Sequence, residues 1–211
     1  MITMERPTLA EMIDAVQQAS SAPELTQAVQ KLADQRSVTA IPQLIKVLGY
    51  NNPSAAVVAM QGLIALGTAA VPDLLALMDD YNYSARAYAV RALASIADPR
   101  ALDYLTHCAL HDFAPSVRRA AIKGLGCIVK KSGDRSLCLR TIDTLQLILR
   151  DEDWSMRYAA IASLSYFPSH FIEAQQLLQS VLHGEADLVV KARLHLAVQQ
   201  HSCNLNSHSG S

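Results

Sequence analysis

Four segments carry one apolar pattern when each is counted from a serine: Ser54, Ser84, Ser116 and Ser155. Five residues on stands alanine (Ala59, Ala89, Ala121, Ala160), and nine on stands leucine (Leu63, Leu93, Leu125, Leu164). Six on stands Met60, Val90, Ile122 or Ile161. Offsets five, six and nine fall on one face of a 3.6-residue helix. Alanine on that face lets two helices approach closely, and leucine fills the space beyond. The spacing therefore predicts four equivalent helices, and the serines that open them are N-cap candidates.

A partner segment with its own apolar stripe precedes each one, starting at Ile41, Val71, Ala101 and Thr141. Pro42 and Pro72 sit near helix starts, where the missing N–H costs nothing. The connections within pairs are polar: GYNNPS, DDYNYS, HDFAPS and RDEDWS. A looser fifth unit ends the array, with Ala192 and Leu196 in register. Residues 1–36, with Thr8 and Glu11 in capping-box spacing, read as a leading helix pair. Helix pairs recurring every 30 to 39 residues predict an all-α fold, an α-solenoid of about five helix pairs forming a curved right-handed superhelix. The expected organisation is a single domain over 1–200, with repeats over 38–200 and a flexible C-terminal tail at 201–211.

Composition agrees with this picture. The chain is 51% hydrophobic but only 5% aromatic, so its core is built from Ala, Leu, Val and Ile, as close helix packing requires. A net charge of −1 provides no basic field, and nucleic acid is not expected as a partner. No signal peptide and no membrane span are read from the sequence, and the expected location is cytoplasmic. The four cysteines form no CxxC pair, so reduced thiols are expected.

Candidate chemistry separates into scaffold and free face. Arg86, Arg118 and Arg157 share offset two, at the edge of the buried face, and are expected to tie neighbouring repeats together. The opposite face, predicted to line the concave side, carries Tyr88, Arg91, Arg119, Lys123, Tyr158 and Tyr166 among small residues, with no Asp or Glu. Arginine clamps carboxylates and tyrosine packs against rings, so the strip suits a flat, partly apolar ligand bearing carboxylates. A surface covered by a partner protein is the other reading of this strip. No GxGxxG, P-loop or GxSxG motif occurs. His107, Cys108 and His111 lie within five residues, but nothing elsewhere matches them, and no metal site is assigned.

The run ALASIADPRALDYLTHCALHDFAPSVRRAAIKGLG (92–126) resembles the short HEAT-like repeat named for phycobilisome lyases. Its marks are Asp98-Pro99-Arg100-Ala101, the acidic turn at Asp112, Ser116 to Ala121, and Gly124-Leu125-Gly126. With five such repeats, the leading pair and a length near 200, the chain resembles the smaller, F-type subunit of the heterodimeric E/F-type phycobilin lyases of cyanobacteria. The resemblance implies a carbon–sulfur lyase. With an E-type partner subunit it attaches phycocyanobilin to a cysteine of the apo-phycocyanin α-subunit, and it holds no tight cofactor. It assigns Tyr88, Arg91, Arg119, Lys123, Tyr158 and Tyr166 to bilin binding, and Asp112 or Asp151 to accepting pyrrole N–H bonds. One relative that also isomerises its bilin has a His-Cys pair flanked by asparagines, glutamine and glycine. Here His107 and Cys108 stand in THCALHD, so the resemblance implies plain attachment, with an exposed Cys108 beside His107 as an accessory thiol. The alternative is a non-catalytic HEAT-repeat scaffold or adaptor, for example in phycobilisome degradation.

Overall fold

The computed structural model describes residues 7–77 and 82–206 of the chain, and every regular element among them is helical. The chain divides into two compact units, 1–96 and 97–211, where the repeat pattern predicts a single domain. Repeats bury their cores only against their neighbours, so compactness in such an array is local.

The first unit holds α1 (Leu9–Gln18), α2 (Ala22–Asp34), α3 (Ile41–Leu48), α4 (Pro53–Leu66), α5 (Val71–Ala76) and α6 (Tyr83–Ile96). The capping box at its start is formed: the Thr8 hydroxyl accepts the Glu11 N–H at 3.3 Å, and the Glu11 carboxylate accepts the Thr8 N–H at 2.7 Å. α4 packs between α2 and α6, while α3 lies against α4 and α6. Residues 53–76 are long and apolar enough to cross a membrane by composition, with a mean hydropathy of 1.8. In the fold the stretch is broken at Gly67, whose φ is +63°, and Ala55, Ala59, Leu63, Val71 and Leu74 are fully buried. Its hydrophobicity is that of a unit core.

The second unit holds α7 (Leu102–His111), α8 (Pro115–Ser132), α9 (Arg135–Ile148), α10 (Trp154–Leu164), α11 (Ile172–Leu182) and α12 (Leu188–Asn206). α8, α10 and α12 pack side by side in a row, and α7, α9 and α11 pack against that row. The alanines and leucines at offsets five and nine are all fully buried. α9 starts six residues earlier than its apolar stripe: Gly133 ends α8 in the left-handed region (φ +64°), and the Asp134 side chain then caps the Leu137 N–H.

Three details of the sequence reading change. The serines are not N-caps, because each lies two residues further along. Asn52, Asn82 and Asp153 accept the first-turn N–H groups of Ala55, Ala85 and Ser155 instead. Pro53 and Pro115 take the first helical position and keep the preceding residue extended, which displaces the cap upstream. In α12 the buried stripe is Val190, Leu194 and Ala197, whereas Ala192 and Leu196 are exposed, so the last repeat is shifted by two residues. Its cap is Asp187, which accepts the Val189 and Val190 N–H groups. α12 also continues through Asn206, into the segment expected as a tail, because no Pro or Gly interrupts 188–206; residues 207–211 lie outside the described residues.

Candidate functional site

A groove of about 900 Å³ opens in the second unit between α8, α10 and the start of α12. Arg119 and Lys123 stand one turn apart on α8, both exposed. Facing them are Trp154, Tyr158 and Ala162 of α10, with Tyr166 just beyond its end. Ala159 and Ser163 complete the α10 wall. Four residues expected from the sequence, Arg119, Lys123, Tyr158 and Tyr166, therefore meet in one place.

The floor is apolar in effect. Ser163 is buried and donates its hydroxyl to the Ile122 carbonyl at 2.8 Å, which leaves the groove no polar group there. That bond also draws α10 onto α8 where α8 carries Gly126. A Cβ on Gly126 would lie 2.8 Å from Tyr166 Cδ2 and 2.9 Å from Ser163 Cα, so only glycine allows this approach. Tyr166 is seated against the α8 backbone, and the Lys130 ammonium lies 5.3 Å from its ring centroid.

Charge is unevenly distributed along the α8 wall. Arg119 Nη1 donates to Ser155 Oγ at 3.1 Å, and Asp153 sits beside it on the groove lining. Hydrogen bonds from the Ser155 hydroxyl and amide hold the Asp153 carboxyl below its ordinary value, with the nearby Arg119 and Arg118 adding to the effect. Arg119 thus shares its charge with a carboxylate, whereas Lys123 has no ion-pair partner among the described residues. The strip read as free of acids meets one at its rim, contributed by the capping turn. Trp154, 48% exposed, is the residue that the sequence reading missed. It sits in the turn RDEDWS, read as merely polar, one position outside the counted helix. Its signal was the four-residue spacing of Trp154, Tyr158, Ala162 and Tyr166.

Tyr88 and Arg91 belong to α6 in the first unit and do not line this groove. Both are half-buried, and the Arg91 guanidinium lies 5.6 Å from the Tyr88 ring centroid.

The HEAT repeats family matches residues 41–126 and 108–199. A phycocyanobilin lyase subunit beta from Nostoc sp. is 46% identical over 197 residues, spanning 90% of this chain and 98% of the relative. The phycocyanin alpha phycocyanobilin lyase CpcF of Synechocystis sp. is 45% identical, over 89% of this chain and 92% of its own length. The chain belongs to the CpcF family of phycocyanobilin lyase beta subunits. A solved structure agrees: the complex of CpcE and CpcF of phycocyanin lyase from Nostoc sp. PCC7120 contains a chain 48% identical, with a TM-score of 0.69, covering 76% of this chain and 99% of that one.

In this CpcF-family chain the offset-two arginines of the second unit are scaffold, as expected. Arg118 donates to the Ala109 carbonyl at 2.9 Å and pairs with Asp151 at 2.5 Å. Arg157 grips Glu185 with two parallel bonds of 2.9 and 2.8 Å, and donates to the Asp151 and Glu152 carbonyls. Asp112 and Asp151, expected to accept pyrrole N–H bonds, are turn residues instead. Asp112, Asp151 and Glu185 each accept the N–H two residues on, at 2.8, 2.9 and 2.9 Å, and none lines the groove. The short turn orients all three, and Arg118 on Asp151 and Arg157 on Glu185 hold two of them further.

The expected thiol–imidazole pair is also absent. Cys108 is 2% exposed on the inner face of α7, whereas His107 is exposed, its ring tilted against that of His111 with centroids 5.1 Å apart. Adjacent residues on a helix point about 100° apart, so an imidazole on the outer face leaves the neighbouring thiol facing the core. Half-buried Cys127 lies further along α8; burial pushes its thiol up, against the pull of Lys123 and Lys130. Among the described residues no three His, Cys, Asp or Glu side chains come together to hold a metal ion.

Proposed function

We propose that this chain is the F-type subunit of a heterodimeric bilin lyase, which holds phycocyanobilin while the bilin is attached to a cysteine of the phycocyanin α-subunit. The observation that carries the reading is the second-unit groove, where Arg119 and Lys123 face an aromatic row over an apolar floor. A linear tetrapyrrole is flat and conjugated and carries two propionates. Arg119 and Lys123 pair with the propionates, and Tyr158 and Tyr166 pack along the rings. Tyr88 and Arg91 offer the same combination of aromatic and cation on the first unit.

The acceptor thiol adds across the exocyclic double bond of ring A: sulfur bonds to carbon, the thiol proton passes to the pigment, and nothing is oxidised. The nucleophile belongs to the acceptor protein, so this chain supplies orientation, and effective molarity is the main catalytic term open to it. An E-type subunit completes the enzyme. Attachment without isomerisation is favoured, because the Cys108 thiol is buried. Replacing Cys108 by alanine is expected to leave transfer rate and product spectrum unchanged, with at most about 1–2 kcal/mol lost in stability from the small cavity. A tenfold loss of transfer in a normally folded Cys108→Ala protein would restore the thiol to the mechanism.

The scaffold or adaptor alternative is less favoured, since an adaptor needs no clustering of aromatics and cations in one groove. Co-expression of this chain, the E-type subunit, the apo-α-subunit and a phycocyanobilin supply tests the reading. The expected result is a zinc-fluorescent α-subunit only when both lyase chains are present. Equal yield without this chain overturns the proposal.

A further inference from the structure

Trp154, Tyr158, Ala162 and Tyr166, spaced by four, line the groove with three aromatic rings and one methyl, the first three on α10 and Tyr166 in the turn beyond it. The two ends of this row differ. Tyr166 is packed against Gly126 and lies near Lys130. Trp154 is half-exposed at the mouth, beside Ser155, to which Arg119 is tied. Between the rings, Ala159 and Ala162 are half-buried on the wall, with the Ser163 hydroxyl turned away into the core. The smallest side chains of the groove wall thus stand between its aromatic rings.

We propose that Trp154 and Ala162 determine which ligand this groove accepts, Trp154 by stacking on the end of the pigment and Ala162 by leaving the notch through which its body passes. The inference rests on the groove being the bilin site. Trp154 presents the largest aromatic face in the chain at the open end, next to a cation that engages a carboxylate of the same ligand. Stacking there aligns the pigment with the row. Ala162 lines the groove without being part of the packed core, so a larger side chain fills the groove before it disturbs the helices.

The test titrates phycocyanobilin, followed by absorbance, into the complex with the E-type subunit. Four variants are compared: Trp154→Ala, Trp154→Phe, Ala162→Leu and Ala162→Ser. Trp154→Ala is expected to weaken binding about 3- to 10-fold and Trp154→Phe less than about twofold, as the loss and retention of a stacking face require. Ala162→Leu weakens it about tenfold or more by filling the notch, and Ala162→Ser leaves it nearly unchanged. Circular dichroism and co-purification with the partner confirm that each variant is folded. Wild-type affinity in both Trp154→Ala and Ala162→Leu overturns the inference. If binding is then still weakened by charge reversal at Arg119 and Lys123, the bilin reading of the groove survives. A wild-type complex that binds no phycocyanobilin removes both.

Discussion

Arg119→Glu combined with Lys123→Glu lowers covalent bilin transfer at least about a hundredfold while the helices remain intact. On the proposed reading each cation engages a propionate through charge-assisted hydrogen bonds worth about 1.5–3 kcal/mol, and about 1.4 kcal/mol corresponds to tenfold, so losing two gives a hundredfold or more. Reversal adds repulsion to that loss. The fold is spared because both side chains are exposed on the groove wall and neither contributes to the buried stripe of α8. The single variants are expected to rank in a definite order. Lys123→Glu is more damaging than Arg119→Glu, since Arg119 already shares its charge with Asp153 through Ser155. Zinc fluorescence of the α-subunit, together with thermal melts, checks both points. Transfer within threefold of wild type in the folded double variant removes the groove from the mechanism.

The largest stability effect is expected at Arg157. Its side chain is 18% exposed, and that of Glu185, which it grips, is only 3% exposed. Removing one partner of a buried pair leaves an uncompensated charge, and at this partly buried site Arg157→Ala costs about 2–4 kcal/mol. Arg135–Glu173, 69% and 33% exposed, is the internal comparison; Arg135→Ala is expected to leave the urea midpoint almost unmoved. The pH dependence has a definite sign. The Arg157 hydrogen bonds hold the Glu185 carboxyl below its ordinary value, against the opposing effect of burial. A depressed folded pKa contributes stability that is present above the unfolded value and is lost as pH falls through the folded one. The gap between wild type and Arg157→Ala is therefore full at pH 7, begins to shrink near the unfolded value of about 4.3, and is lost as pH falls through the depressed folded value. Urea melts at pH 7 and pH 3.5 measure it, and a gap that is constant across that range contradicts the assignment.

The architecture was legible because a helix that packs on both neighbours repeats its alanine and leucine, and those positions are all fully buried. The scaffold role of Arg118 and Arg157 was legible from their shared offset, and Arg119, Lys123, Tyr158 and Tyr166 from their common face. Less legible was anything fixed by the turns. Asp112 and Asp151 look free in sequence, yet each is engaged by the backbone N–H two residues on, and Asp151 by Arg118 as well. The Cys108 reading failed because adjacency in sequence is not adjacency on a helix. The α12 register slipped because its opening residue is Val189 and not a serine, so counting began two positions early. Trp154 lies in a turn that periodicity does not reach, although it is the chain's single tryptophan.

The most direct measurement of the central claim is an experimental structure of the complex with the E-type subunit loaded with phycocyanobilin. Pigment density is expected along the row from Trp154 to Tyr166, with propionate oxygens within hydrogen-bond distance of Arg119 and Lys123. Pigment held entirely on the partner subunit, with this groove empty, would contradict it.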